Sequence, residues 1–158
     1  MQQWWHTAVE LLHAGKRAEA VRVTRQAAAA GSLAAKVRLA VFGDDAGVSW
    51  EEGDRIIAEA ERTVAEDDET THWVLWGAYD LLHGHVEYEE RSRLALRHLE
   101  AFARITGDPL ATIALARNYA AGRIGVEPSV ERAVEWYYYA AAVGHPDAER
   151  ELRRLRYA

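Results

Sequence analysis

The sequence contains no cysteine among its 158 residues. This absence excludes disulfides, thiolate nucleophiles and cysteine-ligated metal sites, and it is typical of proteins kept in a reducing compartment. The longest continuous apolar run, 136–143, is much shorter than the roughly 20 residues that a membrane-spanning helix needs. The amino-terminal stretch MQQWWHTAVELLHAGK lacks the basic leader and the continuous apolar core of a signal peptide. We therefore expect a cytoplasmic protein with no membrane partner.

The motifs of the common nucleotide-binding enzymes are also missing. Neither GxxxxGK[ST] nor GxGxxG occurs in the chain. Carboxylates are abundant, but none is paired within an apolar stretch, so the sequence offers no candidate for a general acid or base. We expect no enzymatic activity and no cofactor.

Period-two alternation of β-branched residues is absent as well, which favours an all-α chain. Apolar helical runs end instead at glycines that are followed directly by helix-start signals, at 31–32, 107–109 and 144–146. Gly107 and Gly144 lie 37 residues apart, whereas Gly31 and Gly107 lie 76 apart, about twice that spacing. The doubled interval predicts a further junction near Asp68. A capping box, Ser49 with Glu52, predicts the start of another helix.

Apolar residues recur in register when positions are counted back from each junction. These positions are Ala20, Val23, Ala27, Ile57, Ala60, Val64, Leu96, Leu99, Ala103, Ala133, Trp136 and Ala140. Such self-similarity is typical of stacked helix pairs, because one pair cannot bury its apolar face alone. We predict a single domain over 1–158, with units at 1–31, 32–68, 69–107 and 108–144 and a cap at 145–158. The predicted helices span 3–14, 17–30, 33–43, 50–66, 71–83, 88–106, 109–121, 130–143 and 146–157.

The fourth unit carries the most specific pattern. Its characteristic residues are Ala111, Leu115, Ala116, Tyr119, Gly122, Gly125, Val126, Ala133, Trp136, Tyr137, Ala140, Ala141, Gly144, His145 and Ala148. This spacing resembles the Sel-one-like repeat, a relative of the tetratricopeptide repeat. The first unit is more similar to the tetratricopeptide form, through Trp4, Ala8, Leu11, Gly15, Ala20 and Ala27. The middle units are degenerate: the second has a long loop, GDDAGVS, and the third has a shifted tyrosine, Tyr79.

The resemblance implies a right-handed α-solenoid of about four antiparallel helix pairs plus a C-terminal capping helix. It also implies a protein-interaction scaffold without chemistry of its own, which binds a protein or peptide in a concave groove lined by the first helix of each pair. A dedicated adaptor and a neutralising partner of a toxin or enzyme both fit this implication.

The groove-facing stripe is expected to lie away from the packing side of each first helix. In the fourth unit, Ala111, Leu115 and Tyr119 share the packing side, which leaves Ile113 and Arg117 for the groove. The matching phase gives the full predicted partner-binding set: Trp5, Val9, His13, Val37, Val41, Asp44, Val74, Ala78, Leu81, Ile113 and Arg117. This stripe is unusually apolar, which indicates either an interaction site or burial within a tightly curved superhelix.

Charge is concentrated in the second unit. The formal net charge of −6 includes −9 from residues 44–69 alone. The acidic residues there are Asp44, Asp45, Glu51, Glu52, Asp54, Glu59, Glu61, Glu66, Asp67, Asp68 and Glu69. The block is either a solvated helix face or a docking patch for a basic partner. A nucleic-acid partner is disfavoured, because the arginines near the end of the chain resemble ordinary helix C-terminal charges.

The segment DLLHGH holds the plausible metal ligands Asp80, His83 and His85. They support the alternative function, a small metal-dependent enzyme or sensor. A zinc or iron site needs three or four convergent ligands, which two histidines in a loop do not supply unless His72 or His98 completes it. We therefore expect surface histidines at a helix end and no metal.

The tryptophans and tyrosines divide between core and surface. Helical spacing predicts that Trp73, Trp76 and Trp136 belong to the core. Trp4 and Trp5 point about 100° apart on one helix, so Trp4 is expected in the core and Trp5 in the groove. Residues 137–139 are three consecutive tyrosines, so at least one of their rings must face solvent. That ring could contact a partner or another copy of the chain.

Overall fold

A computed structural model of the chain describes residues 1–81 and 83–157. Within these residues there are nine α-helices and no β-strand. The helices are α1 Gln3–His13, α2 Arg17–Ala29, α3 Leu33–Phe42, α4 Trp50–Thr63, α5 Glu69–Asp80, α6 Tyr88–Thr106, α7 Pro109–Ala121, α8 Val130–Ala142 and α9 Ala148–Tyr157. A short 3-10 helix, Gly43–Ala46, follows α3. The predicted all-α fold of consecutive helix pairs with a final helix is confirmed.

Helix boundaries follow from local capping, as the sequence predicts. The side chains of Ser32, Asp68, Asp108 and Ser129 each accept a hydrogen bond from a backbone N–H in the first turn of the next helix. Asp68 does so at 3.0 Å from Thr71 N, which confirms the predicted junction there. Ser49 accepts from the N–H of Glu52 at 3.2 Å and begins α4.

Three predicted segments differ from the structure in their ends or extend outside the described residues. The helix predicted over 50–66 ends earlier, because Val64 has an extended backbone with ψ of 128°. Val64 is consequently only half-buried, as are Val23 and Ala27, whereas the other nine in-register apolar residues are buried. The helix predicted over 71–83 is α5, which begins earlier, at Glu69, and ends earlier, at Asp80. Position 82 of that prediction, and position 158 of the predicted cap, lie outside the described residues.

The chain forms two compact units, residues 1–86 and 87–158. In the first, α2 packs against α1 and α3, and α3 packs against α4 and α5. Small residues allow the close approach of α3 and α4, since a Cβ at Gly53 would lie 3.5 Å from the Cβ of Ala40. The predicted single domain over 1–158 stays a prediction.

In the second unit, α7 packs closely against α8, with α6 against α7 and α9 against α8. The loop between α7 and α8 requires its glycines. Gly125 has a φ of 78°, and a Cβ there would clash with the backbone carbonyl of Glu89 at the start of α6. Gly125 is therefore required by the packing of this loop against α6.

Tyrosine–glutamate hydrogen bonds join neighbouring helices in both units. The Tyr79 hydroxyl donates to Glu61 Oε2 at 2.8 Å, joining α5 to α4. The Tyr119 hydroxyl likewise donates to Glu100, joining α7 to α6. Tyr79 thus performs in α5 the role of Tyr119 in α7, although it lies at a shifted position in the repeat. None of the helices in the described part of the chain is both long enough and apolar enough to cross a membrane.

Candidate functional site

A groove in the first unit is formed by α1, α3 and α5, the first helices of three predicted pairs. Its volume is about 280 Å³. The residues lining it are Trp5, Val9, Leu12 and His13 from α1, Arg38 from α3, and Trp73, Val74, Trp76 and Gly77 from α5. We call this surface the tryptophan groove. It contains three indole rings, one arginine and one histidine, and no carboxylate among the residues that line it.

The three indoles of the tryptophan groove are all partly exposed. The Trp73 and Trp76 rings lie one helical turn apart, with centroids 4.6 Å from each other and planes tilted by 47°. The Trp4 and Trp5 rings are nearly perpendicular to each other, with centroids 5.8 Å apart. Large flat side chains of this kind offer apolar area at low entropic cost.

Arg38 lies between the tryptophan groove and the neighbouring end of α3. Its guanidinium carbon is 5.2 Å from the centroid of the Trp5 ring and 5.0 Å from that of Phe42. No residue in the described ranges 1–81 and 83–157 makes a hydrogen bond or ion pair with its guanidinium. Burial, and secondarily the positive charge of Arg17, lowers the pKa of Arg38.

Gly77 lies in the interior of α5 and lines the tryptophan groove. A Cβ at this position would meet no atom within 4 Å. Packing therefore does not require a glycine here. Glycine inside a helix lowers the stability of the helix by roughly 0.5–1 kcal/mol relative to alanine, so its presence has a cost. Its effect is to leave the wall of the groove open.

A second cavity, of about 370 Å³, lies at the end of α3. It is lined by Ala40, Val41, Phe42, Gly43, Asp44, Asp45, Val48, Ser49, Trp50, Gly53 and His83. Trp50 is 66% exposed and stacks on the His83 ring at a centroid distance of 5.0 Å. Phe42 belongs to this cavity while contacting Arg38, so the cavity and the tryptophan groove adjoin along α3.

No protein-family model and no curated protein matches this chain. Among solved structures, a Sel1 repeat protein from Oxalobacter formigenes is similar, with 22% sequence identity and a TM-score of 0.53. The match covers 94% of this chain. The chain has a Sel1-like repeat fold. It spans 60% of the length of that solved chain.

The Sel1-like repeat fold brings some predicted partner-binding residues together and separates others. Trp5, Val9, His13 and Val74 line the tryptophan groove. Val41 and Asp44 line the second cavity instead. Leu81 is 60% exposed and lines neither of these two cavities.

Of the two interpretations of the apolar stripe, burial applies to Val37, Val74, Ala78 and Ile113, because all four side chains are buried. The cause is the number of neighbours of each first helix. In the Sel1-like repeat fold, α3 is enclosed by α2, α4 and α5, and α7 by α6 and α8. Side chains of these helices that face a neighbouring helix are therefore buried. Val74 of α5 is also buried, 2% exposed, and lies behind the partly exposed side chains of the tryptophan groove.

Arg117 is exposed, but its guanidinium forms an ion pair with another residue of the chain. Two of its nitrogens donate to the two carboxylate oxygens of Glu151, at 3.0 and 2.6 Å. The Tyr137 hydroxyl donates to the same carboxylate at 3.2 Å. The bond from Arg117 lowers the pKa of Glu151, despite an opposing contribution from burial. This cluster ties α9 to α7 and α8.

Sequence reasoning missed Leu12, Arg38, Trp73, Trp76 and Gly77 as groove residues. Trp73 and Trp76 were predicted in the core, which is wrong, whereas the prediction for Trp136 is confirmed, because its ring is 5% exposed. Trp4 was also predicted in the core, but it is only half-buried. The sequence signal for these groove residues was the Trp-x-x-Trp-Gly pattern of α5, in which a glycine directly follows two tryptophans one helical turn apart.

The metal-site alternative is not supported by the arrangement of its ligands. The described residues contain no group of three or more His, Asp or Glu side chains that could hold a metal ion. His83 stacks on Trp50, while the His85 side chain is 96% exposed, with Nδ1 3.8 Å from Asp54 Oδ2. His72 and His98, which could have completed the site with Asp80, are buried within helices.

Some acidic residues of the repeat unit 32–68 already have partners within the chain. Asp45 pairs with Arg17, Glu59 with Arg62, and Glu61 accepts from Tyr79. Other members point into solvent, and these exposed residues are Asp44, Glu51, Glu52, Glu66 and Asp67. Any docking of a basic partner would depend on this second group.

Proposed function

We propose that the chain is a non-catalytic protein-interaction module that binds a peptide segment of another protein in the tryptophan groove. The observation that carries this proposal is Gly77, a helix-interior glycine that faces open space on an aromatic wall. Glycine lowers the stability of α5 at this position, and no packing contact requires it. The need to keep the groove open explains why it is there.

The aromatic composition of the groove supports a protein partner. Tryptophan and arginine are the residues that most often contribute the binding energy of protein interfaces. Trp5, Trp73, Trp76 and Arg38 place four such side chains around one groove. Three first helices of the repeat contribute to it, so an extended segment can contact all of them.

The acidic second unit supports a basic region of the partner outside the groove. Asp44, Glu51 and Glu52 are exposed near the second cavity, whereas the tryptophan groove has no carboxylate. We propose that the acidic residues attract the partner over a longer range and that the groove holds it. Both an adaptor and a neutralising partner could act through this surface, and nucleic acid is disfavoured by the same negative charge.

Two substitutions at Gly77 test the proposal. Random twelve-residue peptides, blocked at both ends, are selected on the wild-type protein by display, and the affinities of the selected peptides are measured by tryptophan fluorescence. Gly77→Leu should weaken binding about tenfold or more, because its side chain fills the groove. The matched control Gly77→Ala should bind within about twofold of the wild type and should be slightly more stable.

Two results would oppose the proposal. If the selected peptides bind Gly77→Leu as tightly as the wild type, the groove is not the binding site. If no peptide is enriched on the wild type, the chain does not recognise peptide segments. Thermal unfolding of both variants checks that a loss of binding does not come from a loss of structure.

A further inference from the structure

We infer that Arg38 forms a subsite for an acidic side chain of the bound segment, so that the tryptophan groove selects Asp or Glu next to an apolar or aromatic residue. This inference rests on the proposed function and adds the chemistry of the ligand.

The first step is the unused hydrogen-bonding capacity of Arg38. A guanidinium has five N–H donors, and the contacts with Trp5 and Phe42 involve ring faces, which orient the group without accepting conventional hydrogen bonds. A peptide lying over the groove would remove water from these donors. Leaving a buried charge unpaired is costly, so the bound segment must provide acceptors.

The second step is the comparison with Arg17, which lies over the same Phe42 ring at 5.2 Å. Arg17 is paired with the carboxylate of Asp45 within the chain, whereas Arg38 has no carboxylate partner among the described residues. The unpaired arginine is the one that lines the tryptophan groove. Burial and the charge of Arg17 both lower the pKa of Arg38, and a bound carboxylate would offset both effects.

The third step distinguishes a carboxylate from a phosphate group. A phosphate carries up to two negative charges and is usually held by several cations. The tryptophan groove has one permanently charged side chain, Arg38, and no lysine among its lining residues. One guanidinium matches one carboxylate, whose two oxygens accept a pair of parallel N–H bonds. The surrounding indoles favour an apolar or aromatic neighbour in the same segment.

The experiment uses the selected peptides and their matched analogues. Peptides enriched on the wild type should carry Asp or Glu at one position, and replacing that residue by Asn or Gln should reduce affinity about ten- to a hundredfold. Arg38→Gln should reduce affinity for the acidic peptide by a similar factor and leave the amide analogue nearly unchanged. Arg38→Glu should shift the selected residue to Lys or Arg.

Arg17→Gln is the matched control, since this arginine contacts Phe42 but does not line the groove, and it should preserve the acidic preference. The comparison of acidic and amide peptides on the wild type needs no protein variant, so a folding defect in an Arg38 variant cannot hide the answer. Enriched peptides without an acidic preference would overturn the inference and leave the proposed function standing. Much tighter binding of the same peptides when their carboxyl terminus is left unblocked, with no need for the Asp or Glu side chain, would also overturn it. Absence of any peptide binding would reject both.

Discussion

His98 illustrates how burial changes the chemistry of one side chain. It lies inside α6 and is 1% exposed. Burial, followed by the neighbouring charge of Arg97, lowers the pKa of His98 to about 3. The imidazole is therefore neutral at physiological pH in the folded chain, whereas in the unfolded chain its pKa is near 6.5.

This difference predicts a pH dependence of stability. Between pH 6.5 and about 3 the unfolded chain binds a proton at His98 that the folded chain does not bind. The free energy of unfolding should thus fall as the pH decreases through this range, by about 1 kcal/mol between pH 7.5 and 5.5. Urea unfolding at both pH values should show this loss in the wild type and a smaller loss in His98→Gln.

The exposed His85 provides the control, and His85→Gln should lose as much stability as the wild type. Equal losses in the wild type and in His98→Gln would show that another group causes the pH dependence.

Helix α8 shows how a single element is held by one face. Its buried residues are Ala133, Trp136, Tyr137 and Ala140, which follow the i, i+3, i+4, i+7 spacing of one helix face. The Arg104 guanidinium lies over the face of the Trp136 ring, 4.9 Å from its centroid. The Tyr139 ring is nearly perpendicular to the Trp136 ring, with centroids 5.6 Å apart. Trp136 is therefore the main anchor of α8 within the second unit.

Trp136→Ala should accordingly destabilise the protein by roughly 3–5 kcal/mol, because it removes the largest buried side chain of α8 and leaves a cavity. Tyr138→Ala is the matched control on the same helix. Tyr138 is 50% exposed, so its loss should cost less than about 1 kcal/mol. Chemical denaturation of both variants makes the comparison, and equal effects would contradict the burial of Trp136.

The charge of the whole molecule has a consequence for association. The formal net charge is −6, and residues 44–69, most of them in the acidic repeat unit 32–68, carry −9 by themselves. Exposed charges of one sign accelerate the approach of an oppositely charged partner at low salt, and the effect disappears as salt screens it. Asp45 contributes less to this field than Asp44, because Arg17 neutralises it.

Reversal of Asp44, Glu51 and Glu52 to lysine tests this effect. A selected groove-binding peptide extended by four lysines should associate several times more slowly with the triple variant than with the wild type at low salt. The difference should vanish at about 0.5 M salt, where the screening length is only a few ångströms. Stopped-flow fluorescence measures these rates.

Glu131→Lys with Glu135→Lys, on the exposed part of α8, is the control, because both residues lie in the compact unit 87–158 and outside the acidic repeat unit 32–68. If the basic region of the partner interacts with the acidic residues of the repeat unit 32–68, the Glu131 and Glu135 pair should have a smaller effect. If the triple variant and the double variant slow association equally, the effect comes from net charge alone. If the triple variant does not slow association, the acidic residues do not take part in it.

The sequence by itself determined where the helices lie, because helix ends depend on local interactions. Ser32, Asp68 and Asp108 cap helices through bonds to residues three positions away, and Gly107 ends α6 with a positive φ. The period of the junctions identified the repeat for the same reason. The part of the tryptophan groove supplied by α1, with Trp5, Val9 and His13, was also predictable from helical phase.

Only the tertiary structure decided which side of each inner helix is accessible. Val37 and Ala78 follow the same phase as Val9, but α3 and α5 have neighbours on several sides and bury them. Trp73 and Trp76 have the spacing of core residues and lie instead on a groove, since no helix of the described chain covers them fully. The unpaired state of Arg38 depends on the same long-range arrangement: Asp45 lies beside Arg17 and leaves Arg38 to the groove. Helical phase describes directions around one axis, whereas exposure depends on what other helices place there.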